Sequence, residues 1–224
     1  MSIDKRIDYL NHFQDKIDKD IYSEPKSQLH YSVIAPQAQN FLSQFKIQKD
    51  KSVIDIGCGD GYFLSLLQKN GFKDLAGVTK GKEDITNCVD KGIKKIYDTD
   101  MTFTHIKEKY DVLWCRHCLE HSPYPYLTLH EFNRLIKLNG HAYIEVPEAE
   151  GYVKHENNAN HYSMLTKRNW VSLILRCGFD INRIQDIDLN IRNPEFQDGN
   201  PYPEQWWAFY LTKTIDLNFM KGVL

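Results

Sequence analysis

The chain has 224 residues, 42% of them hydrophobic, enough to bury one sizeable core and cramped for two domains. With 28 basic against 30 acidic side chains, its formal charge of −2 offers no global positive field to a nucleic-acid partner. No apolar run reaches membrane-spanning length, and MSIDKRIDYL at the amino terminus lacks a secretory hydrophobic stretch, so a cytoplasmic protein is expected.

Ile3, Ile7, Leu10, Ile17 and Ile21 recur every three or four residues among charges, the spacing of an amphipathic helix, which SEPKSQ ends. Ile34, Ala38, Phe41, Leu42 and Phe45 predict a second helix before IQKDKS. Residues 1–48 therefore read as a helical cap and 49–224 as the main domain.

From residue 53 strand-like and helical runs alternate. SVIDIG is followed by a helix over 61–70 that closes at Gly71, and LAGVT by a helix over 82–91 that closes at Gly92. IKKIYD and YDVLWC come next, then a helix from Pro125 to Leu138 closed by Asn139 and Gly140, and the strand HAYIEVP. Such alternation implies right-handed crossovers and a doubly wound, mostly parallel sheet with helices on both faces, an α/β fold. Thr166 is placed to cap a further helix that ends at Gly178. No helical pattern separates FDINRIQDID from WWAFYLTKT, so these last two of seven strands are expected to be antiparallel neighbours.

The five cysteines, at 58, 88, 115, 118 and 177, are odd in number and sit inside regular elements, which predicts reduced thiols. Cys115 and Cys118 form a C-x-x-C without a second pair at zinc-ribbon spacing, and are read as packing residues.

The stretch VIDIGCGDGYF puts Gly57, Gly59 and Gly61 directly after the first strand, the usual floor of a ligand site in a doubly wound sheet. Tyr62 stands where a dinucleotide fingerprint needs a last small residue, and the lysine and hydroxyl of a phosphate loop are absent. Asp55 and Asp60 beside the turn disfavour a pyrophosphate and suit a ligand carrying an ammonium and a sulfonium.

On these residues the stretch from about Ser52 to Gly178 closely resembles the class I S-adenosylmethionine-dependent methyltransferases, whose fold is Rossmann-like. The resemblance implies S-adenosyl-L-methionine as cofactor, with Asp55, Gly57, Cys58, Gly59 and Gly61 at its methionine end. That family holds the ribose with an acid at the end of the second strand, where this chain has Thr79 in LAGVTKGKED, with Glu83 or Asp84 as helpers. Asp100 and Met101 of YDTDM match the adenine-binding position, and Cys115 and Arg116 end the fourth strand beside the cofactor.

The segment YDVLWCRHCLEHSPYPYLTLHEFNRLIKLNG resembles the widespread small-molecule subfamily, which implies a small-molecule methyl acceptor, such as a sugar or its nucleotide-linked form. His117 and His121 leave the fourth strand where the methyl group should hang, and histidine suits proton removal near neutral pH. His161, in HENNANHYSMLTKRNW, matches the subfamily's usual histidine and is the third candidate for the acceptor site; His155, Tyr162, Glu145, Glu148 and NPYPEQWW are candidate pocket walls. Glu120 and His121 suggest a divalent ion, but no third ligand is identifiable, so no metal is expected. Two rivals remain open: a nucleic-acid methyltransferase, disfavoured by CRHCLEH in place of a base-stacking motif, and a cofactor-binding scaffold that transfers nothing. If the glycine turn holds the cofactor, Asp55→Ala and Gly57→Val are each expected to weaken binding far more than they lower the melting temperature.

Overall fold

The computed structural model describes residues 3–19, 28–191 and 202–217. Ile21, SEPKS and most of the proline-rich connection before the last strand lie outside them. Two helices come first, α1 (Ile3–Lys19) and α2 (Gln28–Gln44). Then strand and helix alternate through β1 (Val53–Ile56), α3 (Tyr62–Lys69), β2 (Leu75–Thr79), α4 (Lys82–Asp90), β3 (Lys95–Asp98) and β4 (Tyr110–Arg116). A single 3-10 turn at Leu119–His121 leads to α5 (Pro125–Leu135), β5 (Ile136–Pro147), α6 (Lys167–Arg176), β6 (Phe179–Ile191) and β7 (Tyr202–Lys213). No helix among the described residues is long and apolar enough to cross a membrane.

The seven strands form one sheet in the order β3-β2-β1-β4-β5-β7-β6. The pairs from β3 through β5 are parallel, and β7 runs antiparallel to both β5 and β6, as the missing helix between the last strands predicts. Strand order reverses between β1 and β4, so the loops after these two strands part there and open a crevice at their carboxyl ends.

Side-chain alternation divides the core between the two faces of the sheet. Ile54, Ile56, Leu113 and Ile144 meet α5 and α6 through Leu129, Phe132, Trp170 and Ile174. On the other face Phe63 of α3, Trp114 of β4 and Tyr143 of β5 stack in sequence, with centroids 4.3 Å and 3.9 Å apart. Phe41 of α2, fully buried, meets Trp114, Tyr143 and Tyr210 at the edge of that stack, making α2 continuous with the core of the main domain. Helix α1 is largely exposed; it reaches the rest of the molecule through buried Ile17 and through Phe13, whose ring lies 6.0 Å from that of Tyr124.

Helix α5 ends at Leu135, three residues before the expected Leu138. Ile136, fully buried, already pairs with Tyr110, and the ladder resumes at His141 opposite Val112, so residues 137–140 bulge out of the strand. Gly140 is required in the bulge, because a Cβ there would lie 2.8 Å from the Asp111 carbonyl oxygen. Lys213 of β7, also fully buried, seals the helix end by donating to the carbonyls of Asn133 (2.8 Å) and Ile136 (2.9 Å), while pairing with Asp216. Lys213→Met should therefore take a buried donor from both carbonyls, of which Asn133 keeps the Ile136 amide, and cost about 1–3 kcal/mol in a urea titration. A loss below about 1 kcal/mol would show that the lysine is dispensable there.

Candidate active site

A cavity of about 300 Å³ occupies the crevice. Its floor is the turn after β1. Gly57, Gly59 and Gly61 all have positive φ, at 73°, 48° and 76°, a run that residues with side chains rarely adopt. The three glycines do different work. A Cβ on Gly57 would lie 2.4 Å from Cys118 Sγ, and one on Gly61 would lie 2.8 Å from Cys88 Sγ; these positions are closed by the protein itself. A Cβ on Gly59 would meet nothing within 4 Å, so its bare backbone faces open space. Gly61 does not line the cavity and serves as the left-handed N-cap of α3.

Around this floor the cavity collects Asp55, Gly57, Cys58, Gly59, Thr79, Asp100, Met101, Arg116, His117 and His121 of the expected residues. Cys115 is not among them: it is fully buried inside β4 and belongs to the core cluster facing α5 and α6. Glu145 and Glu148 do not line it either, whereas Tyr162 does. Of NPYPEQWW, Asn200 and Pro201 lie outside the described residues, and Trp206 and Trp207 are buried in β7.

The two aspartates beside the turn differ in state. Asp60 is committed to the protein: its carboxylate accepts from the Tyr62 amide (3.2 Å) and the Tyr31 hydroxyl (3.3 Å) and pairs with Lys91 Nζ at 2.6 Å. That cation neutralises the negative field expected from Asp60. Asp55 is 4% exposed, and its burial, with a smaller push from Cys88, raises its pKa well above the usual carboxylate range against the pull of Arg116. An unliganded Asp55 therefore tends to keep its proton, and a cationic group above it would draw that proton off.

The acceptor-facing wall is built at the ends of β4 and β5, whose register sets Arg116 opposite Glu145. Arg116 Nε lies 2.6 Å from Glu145 Oε1, and the guanidinium stacks 4.8 Å from the Trp206 ring. Glu145 is fully buried and also accepts from the Tyr143 hydroxyl. His117 follows with φ 46°, a left-handed turn that folds its ring back over the sheet, Nε2 3.0 Å from Glu145 Oε1 and Nδ1 3.6 Å from Glu120 Oε1. Burial and Arg116 push its pKa down, but the hydrogen bonds to Glu120 and Glu145 outweigh them and hold it above the ordinary histidine value.

His121 ends the 3-10 turn, its Nδ1 3.2 Å from the Asn160 carbonyl oxygen. The segment before α6 is tied to this turn by Ser163, whose amide donates to Glu120 O (2.9 Å) and whose hydroxyl donates to Ser122 O (2.6 Å). This brings His161 edge-on to His121, ring centroids 4.8 Å apart, with His155 stacked behind it at 5.7 Å and ion-paired to Glu204 at 2.7 Å. His161 itself does not line the cavity.

His161 is also the third ligand the sequence did not reveal. Glu120, His121 and His161 each offer a ligand atom, all within 4.8 Å of one another. That span exceeds the roughly 3.4 Å separating tetrahedral ligands about 2.1 Å from a first-row ion. Asn158 Oδ1 accepts from the Asn160 amide (3.4 Å), which turns Asn158 Nδ2 toward His161 Nε2 (3.1 Å) and leaves the proton of that ring on Nδ1. As they stand, the two histidines are hydrogen-bonded to Asn160 and Asn158, and the ligand atoms of the trio are spread wider than a tetrahedral site needs.

The sequence read residues 1–48 as a helical cap without singling out which of its side chains reach the cavity. Ile17 of α1 and Tyr31 and Ile34 of α2 line the cavity from above, and Gln14 donates to Asp100 Oδ2 at 3.4 Å. Nothing local marks these positions, which read only as helix faces.

The glycine geometry revises the expectation for Gly57→Val, which should unfold or strongly destabilise the protein because its side chain meets Cys118 and its φ is positive. Gly59→Ala is the clean probe: a melting temperature within a few degrees of the parent, with cofactor-product affinity reduced at least about 10-fold. Equal affinity for Gly59→Ala and parent would remove the turn from the ligand site. The Asp55 environment makes a second prediction. Binding of a cation above it releases a proton, so affinity should rise as pH rises through the raised pKa of the free protein. Calorimetry of S-adenosylhomocysteine in buffers of different ionisation enthalpy should show that release, and Asp55→Asn should abolish it.

Residues 27–182 match a family model described as Methyltransferase domain. A ubiquinone biosynthesis O-methyltransferase of Proteus mirabilis (strain HI4320) is 31% identical over 187 residues, which cover 76% of this chain and 72% of that protein. Another, from Aliivibrio fischeri (strain MJ11), is 32% identical over 100 residues, 42% of each chain, so the chain spans less than half the length of that relative. Among solved structures, a SAM dependent methyltransferase from Archaeoglobus fulgidus superposes with TM-score 0.61 at 18% identity, covering 82% of this chain and 94% of that one. The [4+2]-cyclase SpnF gives TM-score 0.66 at 11% identity, covering 80% of each, and both structural likenesses are of fold alone. The bare-backbone cradle at Gly59 and the buried Asp55 fit the cofactor of the family whose model spans most of the sequence. The chain belongs to the class I S-adenosylmethionine-dependent methyltransferases.

Proposed function

We propose that the chain is an active methyltransferase that methylates a hydroxyl oxygen of a small molecule. The observation that carries this reading is the continuity of one cavity from the glycine turn, through Thr79 and Asp100, to Arg116, His117, His121 and Tyr162. When bound, S-adenosylmethionine supplies an electrophilic methyl group on a cationic sulfur, which leaves as a neutral thioether. The turn at Gly57–Gly59 and Asp55 hold its methionine end, and Thr79, Asp100 and Met101 line the part of the cavity left for the nucleoside. Ile17, Tyr31 and Ile34 add wall to the same cavity from α1 and α2.

The histidines divide the remaining work. His117 has both ring nitrogens turned toward carboxylates, so it is held as a cation and is a poor proton acceptor. His121 lines the cavity with Nδ1 3.2 Å from the Asn160 carbonyl oxygen and is the histidine assigned to the proton of the acceptor hydroxyl. In this reading His121 would take the single proton that the acceptor hydroxyl gives up on methylation. Glu120, 1% exposed and with its carboxyl held below the usual range against its burial by the hydrogen bond to His117, would stabilise an imidazolium formed at His121. His161 supports His121 from behind.

Arg116, the arginine on the cavity wall, is already paired with buried Glu145 and so is poorly placed to take a diphosphate. An uncharged ring compound bearing hydroxyls, a phenol or a free sugar, suits the site better than a nucleotide-linked sugar, and the O-methyltransferase name of the relatives points to the phenol. The test is incubation with methyl-labelled cofactor and a panel of catechols, simple sugars and nucleotide sugars, read by mass spectrometry. Labelled ether on a catechol supports the proposal; cofactor binding without turnover on any acceptor would favour a scaffold. With an active acceptor found, His121→Asn should lower kcat about 100-fold and leave S-adenosylhomocysteine affinity within about 2-fold. An unchanged kcat would reduce His121 to architecture.

A further inference from the structure

Asp100 and His121 reach the cavity from different loops, one after β3 and one after β4. Behind the cavity these loops are joined by three hydroxyls, none of which lines it. Thr102 donates its amide to Asp100 Oδ1 at 2.7 Å, and its Oγ1 lies 2.8 Å from Oγ1 of Thr128 in the first turn of α5. Thr128 Oγ1 lies in turn 2.6 Å from Oγ of Ser122, the residue that follows His121.

A hydroxyl has one proton and two lone pairs. Thr128 donates to the Tyr124 carbonyl oxygen at 3.1 Å, so the protons of Thr102 and Ser122 both point at Thr128. Ser122 Oγ accepts from the Tyr124 amide at 3.0 Å, and the Ser122 carbonyl accepts from Ser163 Oγ, whose own amide donates to the Glu120 carbonyl oxygen at 2.9 Å. Thr102, Ser122 and Thr128 are all buried, so no rung of this ladder opens without leaving a polar group unpaired away from water. Packing alone would be served by valine at 128. What the hydroxyl adds is a fixed join between two loops that meet nowhere else in these contacts.

We propose that Thr128 is a positioning residue that holds the Asp100 loop and the His121 turn at one separation, so that ordering the first around the cofactor also orders the second. Methyl transfer asks for this, because reacting atoms must be held about 3–3.5 Å apart and in line. The proposal rests on the cofactor reading above and extends it to a residue outside the cavity. The experiment follows amide hydrogen exchange by NMR in the parent, Thr128→Val, Thr128→Ser and Thr102→Val, each with and without saturating S-adenosylhomocysteine, whose binding is measured separately by calorimetry. In the parent the ligand should slow exchange by about 10-fold or more at the Thr102 amide and also at the Tyr124 and Ser163 amides. Thr128→Val, which keeps the shape and removes the shared oxygen, should keep the slowing at Thr102 and lose it at Tyr124 and Ser163. Thr102→Val cuts the ladder one rung earlier and should lose the same two, which carries the test should Thr128→Val fail to fold. Thr128→Ser, which keeps the oxygen and drops the methyl, should restore the parent pattern. Slowing at Tyr124 and Ser163 that survives in either valine variant, or that is lost in Thr128→Ser, overturns the proposal and leaves the cofactor reading standing. A parent that binds S-adenosylhomocysteine without slowing those two amides does the same, and a parent that fails to bind it overturns the cofactor reading as well.

Discussion

The parallel pairing of β4 with β1 on one side and β5 on the other is the constraint from which the rest of the site follows. Its register sets Asp55 beside Trp114, Trp114 beside Tyr143, and Arg116 beside Glu145, all on one face of the sheet. The aromatic members make the floor rigid, because stacked rings at about 4 Å leave little freedom to shift relative to one another. The charged members are carried to the carboxyl end, where the sheet stops and the crevice opens. A slip of one residue would turn Asp55 and Arg116 to the opposite face and bury them among Leu113, Ile144 and the helices α5 and α6.

This arrangement concentrates charge where water is scarce. Arg116, His117, Glu120 and Glu145 form a nearly dry cluster in which each cation shares a carboxylate with a neighbour. Such clusters are costly to assemble and sensitive to the loss of any one member, which is how a small shift in geometry becomes a change in protonation. Asp55 shows the opposite case, a buried acid whose carboxyl pKa is pushed up by burial and which the proposed function pairs with the cofactor. The site is therefore electrostatically incomplete on its cofactor side and nearly balanced on its acceptor side. Tyr31 reports the same asymmetry: burial first, then Asp60 and Asp84, pushes its pKa up to about 12, so it stays a neutral donor over the turn.

The elements themselves were readable because their causes are local. Gly71, Gly92 and Gly178 end helices with positive φ, and Thr166 caps α6 through the Asn169 amide, each visible as a residue type at the right offset. The one clear boundary error, at the end of α5, came from a nonlocal cause: Ile136 is drawn into the sheet by Tyr110 and its carbonyl is taken by Lys213, 77 residues away in sequence. Within the site, the glycines and aspartates after β1 were found by pattern. Their separate duties were not, since Cys118, Cys88 and Lys91, which close Gly57, close Gly61 and neutralise Asp60, come from distant segments.

The sequence alone determined the order of strands and helices, the ligand turn at Asp55–Gly61 and the kinship with cofactor-binding methyltransferases, because strand alternation, helix periodicity and turn chemistry act over a few residues. Only the tertiary structure decided which histidine is caged between carboxylates and that residues of α1 and α2 line the cavity. These depend on register and packing between segments tens of residues apart, where side chains of the same type differ only in what the fold places against them.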